Sequence, residues 1–532
     1  MPDSPSRREA ADPTVITFRD DYYLFASKSG GYWWSHNLID WNFVETNQIP
    51  AEDYAPTAVV IDDSIYFLAS SSTKCPLYKS GNPKSGNWTM IKDSLSIVVW
   101  DPALFLDDDN RLYLYWGCSP KDPIHGVELD KRTFEPIGTP KDFMIADTKN
   151  HGWENPGDYN ELNQPPWIEG AWMNKFNGKY YLQYATPGTE FYSYADGVYT
   201  SDNPLGHFIY APINPFSYKP AGFIRGAGHG STFKDRYGNL WHIATMTISV
   251  LHMFERRIGL FPAMTDHDGN LIVDAGITDR PIIMPENRFS KTQDLKLDWM
   301  LLSYKKPISA SSSQANFPPQ NAIDENVRTS WCSASSNPGE WIMIDLGSIY
   351  SIQALQINYS DYRTNVYSRD TSCYYQYQIE SSNDTKSWKN VVDKSNSKSD
   401  VPHDYIQLTT PIDCRFVRIT NYHAPGGFFA LSDLRIFGNG KGKEPVAVNS
   451  LRITRDTTDR RLVNLTWNKS KGAMGYTVRF GPIKEVIPYS FPVYSDTSLI
   501  LRCLNTSSTY YFSIDSFNEN GITPSRAIQE VR

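Results

Sequence analysis

Four residues able to move protons stand at matching places in a repeated pattern. Asp12 opens "DPTVITFRDDYYLFAS", Asp101 opens "DPALFLDDDNRLYLYWG", Glu169 opens "EGAWMNKFNGKYYLQYAT" and His229 opens "HGSTFKDRYGNLWHIAT". A fifth copy, "APTAVVIDDSIYFLAS", has Ala55 in the same place. Carboxylates gathered in one space cannot all ionise at their ordinary pKa, so one is left protonated and another charged. That is a proton donor beside a proton acceptor, and it is a costly grouping for stability alone. These heads are therefore the candidate active site.

The elements that must bring them together follow from the same pattern. Each copy has a small or polar head, an apolar run, a turn of Asp, Asn or Gly, and an aromatic run, which reads as strand, tight turn, strand. The copies recur every 45 to 70 residues or so, the self-similarity of a propeller with one sheet per repeat. In a propeller the first strand of every blade lines the central channel, so the heads should converge on one axis. The expected fold is all-β: a five-bladed β-propeller over 10–295, followed by two β-sandwich domains. Ring closure should draw its last strand from residues before Asp12 or after Arg288.

Composition agrees with that class. The 532 residues include 33 Tyr and 15 Trp, which favours short strands and turns over helices. A net charge of −8 argues against a nucleic-acid partner, and no apolar run approaches the length of a membrane span. The six cysteines (Cys75, Cys118, Cys332, Cys373, Cys414, Cys503) show neither CxxC spacing nor a disulfide framework, with one bridge within 332–414 left open. The start "MPDSPSRREAADP" has no apolar signal core. Secretion, or a periplasmic or cell-surface location after signal removal, is nonetheless expected from the domain content.

Beyond the repeats, 303–438 reads as a β-sandwich. "NGKGKEP", Asn439 to Pro445, is a Gly and Lys linker. The last domain, 446–532, has Trp467 on an early strand and Leu504 six residues before Tyr510, features of seven-stranded sandwiches. In the second domain Asp324, Asn326 and Thr329 crowd one loop with oxygen ligands suited to calcium, against the plainer reading of a turn.

The motifs "ADPTVI", "DPALF", "WIEGAW" and "GAGHGSTF", in order at the blade heads, resemble those of family 43 glycoside hydrolases. "NAIDENVRTSWCS" and "WIMIDLG" look like a discoidin (factor 5/8 type C) module, and the last domain is similar to fibronectin type III. The first resemblance implies an inverting glycosidase needing no cofactor for its chemistry. Asp12 is then the general base, Glu169 the general acid, Asp101 the carboxylate that orients the acid and raises its pKa, and His229 the contact for a central water or calcium. The discoidin resemblance implies a glycan-binding module with a structural calcium.

Trp153 is a candidate to stack on a sugar ring, Trp34 and Trp100 are candidate walls of a substrate pocket, and Arg256 is a candidate donor to a sugar hydroxyl. Trp33, Trp167, Trp172, Tyr159 and Arg257 are weighed beside them. The long insert Asp147 to Trp167 should narrow the funnel to a pocket, hence exo action. The expected activity is removal of terminal α-L-arabinofuranose from plant polysaccharides or arabinogalactan. β-D-Galactofuranose and β-D-xylose stay open, because one carbon changes binding by only ~1–3 kcal/mol. A glycan-binding protein without catalysis is the reading from another class.

Overall fold

The computed structural model describes residues 9–51, 53–71, 75–247, 255–364, 373–494 and 496–532. Each repeat becomes one antiparallel four-stranded sheet. Blade one is β1–β4 (Ala11–Phe18, Asp21–Ser27, Gly31–Ser35, Trp41–Glu45) and blade two is β5–β8 (Thr57–Ile61, Ser64–Leu68, Leu77–Ser80, Thr89–Lys92). Blade three is β9–β12 (Ala103–Leu106, Leu112–Trp116, His125–Leu129, Pro136–Asp142). Blade four is β13–β16 (Glu169–Phe176, Lys179–Thr186, Ala195–Ser201, Ile209–Tyr210), and blade five is β17–β20 (Arg225–Lys234, Leu240–Thr247, Arg256–Thr265, Leu271–Val273). The predicted turns are tight. Between β13 and β14, Asn177 and Gly178 sit at φ 52° and 82°, the doubly left-handed turn that matches strand twist.

The first strands β1, β5, β9, β13 and β17 are neighbours around the axis, and β17 lies beside β1. Short hydroxyls stitch them. Thr14 Oγ1 donates to the Pro56 carbonyl at 2.8 Å, Leu104 N donates to Thr57 Oγ1 at 3.0 Å, and Val15 N to Ser231 Oγ at 3.2 Å. Closure differs from expectation. Every blade is built from consecutive chain, and no terminal segment supplies a strand to another blade among the described residues. The seam is made instead by β1 against β17 and by Ala10 N donating to the Arg256 carbonyl at 3.1 Å.

The second domain is a β-sandwich of β21–β28 (Met300–Leu301, Ile308–Ala310, Trp331–Cys332, Trp341–Tyr359, Gln376–Ser382, Lys389–Asp393, His403–His423, Ala430–Asn439). Because β21 pairs Met300 with Gly438, the sandwich starts slightly before residue 303. The third domain packs β29, β30 and β33 (Leu451–Arg455, Val463–Trp467, Ser498–Leu501) against β31, β32, β34, β35 and β36 (Gly475–Gly481, Tyr489–Tyr494, Tyr510–Asn518, Gly521–Thr523, Gln529–Val531). Its Tyr510 hydroxyl accepts from Asn505 N at 3.0 Å, a tyrosine corner where the sequence placed one. No disulfide joins the cysteines among the described residues, so the bridge left open within 332–414 is not formed.

The sandwiches are not loosely tethered. "NGKGKEP" is fastened to the third domain: Gly440 N donates to the Glu519 carbonyl at 2.8 Å, and Asn518 Nδ2 to the Lys443 carbonyl at 3.0 Å. The insert after blade three runs first to the same domain, where Gly152 N donates to the Leu504 carbonyl at 3.0 Å. Trp153, fully buried, then joins one apolar cluster shared by blade four and the third sandwich. Burial of each such aromatic is worth about 1.5–3 kcal/mol. Propeller and third domain should therefore melt together in calorimetry; a separate transition for the third domain would contradict the shared core.

Candidate active site

The heads share one backbone feature. Asp12, Ala55, Asp101 and His229 lie at φ 51°, 45°, 50° and 48°, a left-handed kink at the mouth of each inner strand. In blade four the kink falls on Gly170 (φ 64°), so Glu169 stands one residue before the register of the other heads. A Cβ at Gly170 would lie 2.7 Å from the His229 ring, which is why the position has none. Three kinks rest on a hydroxyl or an equivalent acceptor of a neighbouring blade: Ala55 N donates to Ser27 Oγ (2.7 Å), Asp101 N to Ser70 Oγ (2.8 Å) and Asp12 N to Thr245 Oγ1 (2.8 Å). His229 N donates to Asp196 Oδ1 at 2.7 Å, and His242 Nε2 lies 2.9 Å from the other Asp196 oxygen.

The side chains converge. His229 Nδ1 is 3.4 Å from Asp12 Oδ1 and 3.8 Å from Asp101 Oδ2. Donor atoms of Asp101, Glu169 and Cys118 lie within 4.8 Å of one another. Burial alone would raise the Asp12 pKa. The Arg256 guanidinium, which donates to both oxygens at 3.0 Å, the His229 ring and the Ser27 hydroxyl (2.6 Å) outweigh it and hold the carboxyl below its ordinary value. Asp101 has no such cation. Burial, with Glu169 and Asp12 adding to it against His229, pushes its pKa up to about 7. Burial disfavours the His229 cation, but Asp12, Asp101 and Glu169 outweigh burial and raise its pKa. Glu169 accepts from the Tyr194 hydroxyl and, at 3.3 Å, from the Cys118 thiol. Burial and the neighbouring carboxylates push the pKa of both donors up, so both keep their protons. A carboxylate held ionised thus faces two others in a shared field, the arrangement that general acid–base chemistry requires.

The family model for Glycosyl hydrolases family 43 matches residues 6–271, half of the chain. The chain belongs to glycoside hydrolase family 43. A second model, the F5/8 type C domain, matches residues 307–432. The family 43 domain is similar to a beta-xylosidase of Xylanibacter ruminicola, 31% identical over 142 residues, 23% of this chain and 42% of that protein. It is similar to a beta-D-galactofuranosidase of Aspergillus niger, 28% identical over 265 residues, 42% of this chain and 69% of that protein. A xylosidase/arabinosidase of Bacteroides ovatus is 26% identical over 162 residues, 26% and 44% of the two chains. The chain thus spans less than half the length of two of these relatives. Among solved structures, a thermostable family-43 glycoside hydrolase covers 53% of this chain and 97% of its own, with 24% identity and a TM-score of 0.44.

Asp12, Asp101, Glu169 and His229 are brought together. Trp100 and Trp167, close in sequence to the heads Asp101 and Glu169, are 45% and 43% exposed. Other expectations need correction. Trp153 is core, its indole donating to the Tyr210 hydroxyl at 2.9 Å, so it is no sugar platform. Trp34 lies on β3, away from the axis, with the Lys84 ammonium 3.8 Å from its ring. Trp172 is likewise buried. Arg256 does not face open space; it is buried and committed to Asp12 and Glu9. Sequence reading missed Tyr194, Cys118, Asp196, Glu9 and the hydroxyls of Ser27, Ser70 and Thr245. Only the last three had a signal, recurring as small hydroxyl residues near the end of the second strand of a repeat. In the second domain Asp324 accepts from Asn326 N (2.9 Å) and Thr329 Oγ1 (2.8 Å), and the buried Asp433 carboxylate accepts from Glu325 N behind that loop (2.9 Å).

Asp12's pKa is depressed, so its ionised form persists until pH falls through that lowered value. Arg256→Met leaves burial unopposed by its largest counter-charge. The acid limb of the kcat/KM profile should move to higher pH, and stability should fall by about 3–5 kcal/mol, while Arg256→Lys keeps the limb closer to the parent. Activity measured from pH 4 to 8 beside thermal melts checks this; an unmoved limb in Arg256→Met would separate Arg256 from Asp12's charge.

Proposed function

We propose that this protein is an exo-acting, inverting glycosidase that removes terminal α-L-arabinofuranosyl residues from plant polysaccharide or arabinogalactan side chains. The observation that carries the reading is the convergence of Asp12, Asp101 and Glu169 around His229 on one axis. Asp12, held ionised by Arg256, takes the proton of the attacking water. Glu169, placed by Tyr194 and Cys118, gives its proton to the leaving oxygen. Asp101, whose donor atom lies within 4.8 Å of those of Glu169 and Cys118, orients the acid. Water attacks on the face opposite the leaving group in one displacement, which inverts the anomeric centre. The exposed Trp100 and Trp167 supply apolar faces for sugar rings at the entrance.

β-D-Galactofuranoside and β-D-xyloside are the competing substrates, and the names of the relatives cover both. The exo reading rests on the second half of the 147–167 insert, which borders the site through Tyr192 N donating to Asp158 Oδ1 at 2.9 Å. We read the third domain as fibronectin type III-like from its two packed antiparallel sheets and tyrosine corner, and the protein as acting outside the cytoplasm, where such glycans occur. No helix among the described residues is long and apolar enough to cross a membrane.

Nitrophenyl α-L-arabinofuranoside, β-D-galactofuranoside and β-D-xyloside, with the product anomer followed by proton NMR, test the assignment. The arabinofuranoside should be cleaved fastest, with inversion. Glu169→Ala should lower turnover at least a hundredfold on a sugar leaving group, with glycan binding kept; undiminished hydrolysis would remove Glu169 from the mechanism.

We also read the Asp324, Asn326 and Thr329 loop with Asp433 as a structural calcium site, supported by a buried carboxylate pressed against Asp324 and Glu325. Calcium should raise the melting temperature of the second domain and EDTA should lower it; identical melts with and without the ion would oppose the assignment.

A further inference from the structure

The loop 187–194, between β14 and β15, touches the site at several points. Tyr194 donates to Glu169, and Thr189 Oγ1 accepts from Arg256 at 3.3 Å. Thr247 Oγ1 ties down the carbonyls of Thr189 and Phe191 at 3.0 and 3.3 Å. The other side of this loop is held by a residue from outside the propeller. Arg328, in the second domain, donates to Asp158 Oδ2 at 2.7 Å and to the Glu190 carbonyl at 3.3 Å. Its guanidinium carbon lies 3.7 Å from the centre of the Tyr192 ring, which Arg225 also approaches, at 4.3 Å. Asp158 itself accepts from Tyr192 N, and Ser193 Oγ donates to the Gly157 carbonyl at 2.7 Å.

We infer that Arg328 is a positioning residue for the reaction, so that the second domain completes the active site of the first by holding the loop that places Tyr194 on Glu169. The inference rests on the reading of Glu169 as the general acid. A partly exposed ion pair adds little to global stability. What Arg328 adds is geometry: a planar guanidinium can lie flat on Tyr192 while its rigid fork holds two acceptors, whereas an ammonium is a point charge with no plane to stack. Small displacements of a catalytic group cost rate out of proportion to their size. The loss should depend on the leaving group, because a general acid matters most when the departing oxygen is a strong base.

The test uses the full chain and the variants Arg328→Ala and Arg328→Lys. Arg415→Ala, which breaks the 2.7 Å Arg415–Asp345 pair elsewhere in the second domain, is the control. Each is assayed on an oligosaccharide, whose leaving group is a sugar, and on a nitrophenyl glycoside of the same sugar, which departs without protonation. Both Arg328 variants should lose about tenfold or more in kcat on the oligosaccharide and less than about twofold on the nitrophenyl glycoside, with Arg415→Ala and all melting temperatures close to the parent. Equal loss on both substrates, or none on either, overturns the role of Arg328 while leaving the catalytic reading standing. A parent chain inactive on both substrates overturns the catalytic reading, and this inference with it.

Discussion

A buried guanidinium ties the ring and the chemistry together. Arg256 stands on β19 of the last blade and reaches Asp12 on β1 of the first, with Glu9 on its other edge. All three are nearly inaccessible to water. A charge in that setting persists only when paired and hydrogen-bonded. The contact that closes the propeller is therefore also the contact that keeps Asp12 ionised. Glu9 feels the other side of the bargain: burial outweighs Arg256 there and pushes its pKa up to about 7.

The heads illustrate a second economy. A left-handed kink is unfavourable for most side chains, yet it recurs in every blade because it turns a side chain toward the axis while its N–H finds a neighbouring acceptor. In blade four the strain is moved to Gly170, leaving Glu169 free of it and one step out of line. Two aspartates and the histidine thus share one geometry, and the glutamate approaches from another, beside Cys118 and Tyr194.

Much of this was legible in the chain. The heads, turns and aromatic second strands repeat strongly enough to mark five blades, and the heads alone singled out the four residues that the fold brings together, Asp12, Asp101, Glu169 and His229. What was not legible arises from contacts between distant segments. Nothing local in "HGWENP" tells whether Trp153 meets a sugar or the third sandwich. Trp34 and Trp33 alternate on a strand whose distance from the axis depends on blade order, not on pattern. Arg256 reads as a ligand because an arginine beside a site has the same sequence whether it faces substrate or a carboxylate. The offset at Gly170 is visible only once φ angles are known, and the partners of the loop 187–194 include Glu169, 25 residues away in the chain, and Arg328, 138 residues away.

The stitched segment Asn439–Pro445 also bears on how the parts cooperate. Tyr304 and Tyr494 pack across the joint between the two sandwiches with ring centres 4.0 Å apart, and Lys306 reaches Glu519 over the same joint. A flexible tether would let one unit search while the other stays bound, with local concentration set by its reach. Here the arms have no slack. Anything gripped by the second domain is presented to the propeller at one distance and one angle, so a polymer with evenly spaced branches would be met in step or missed altogether.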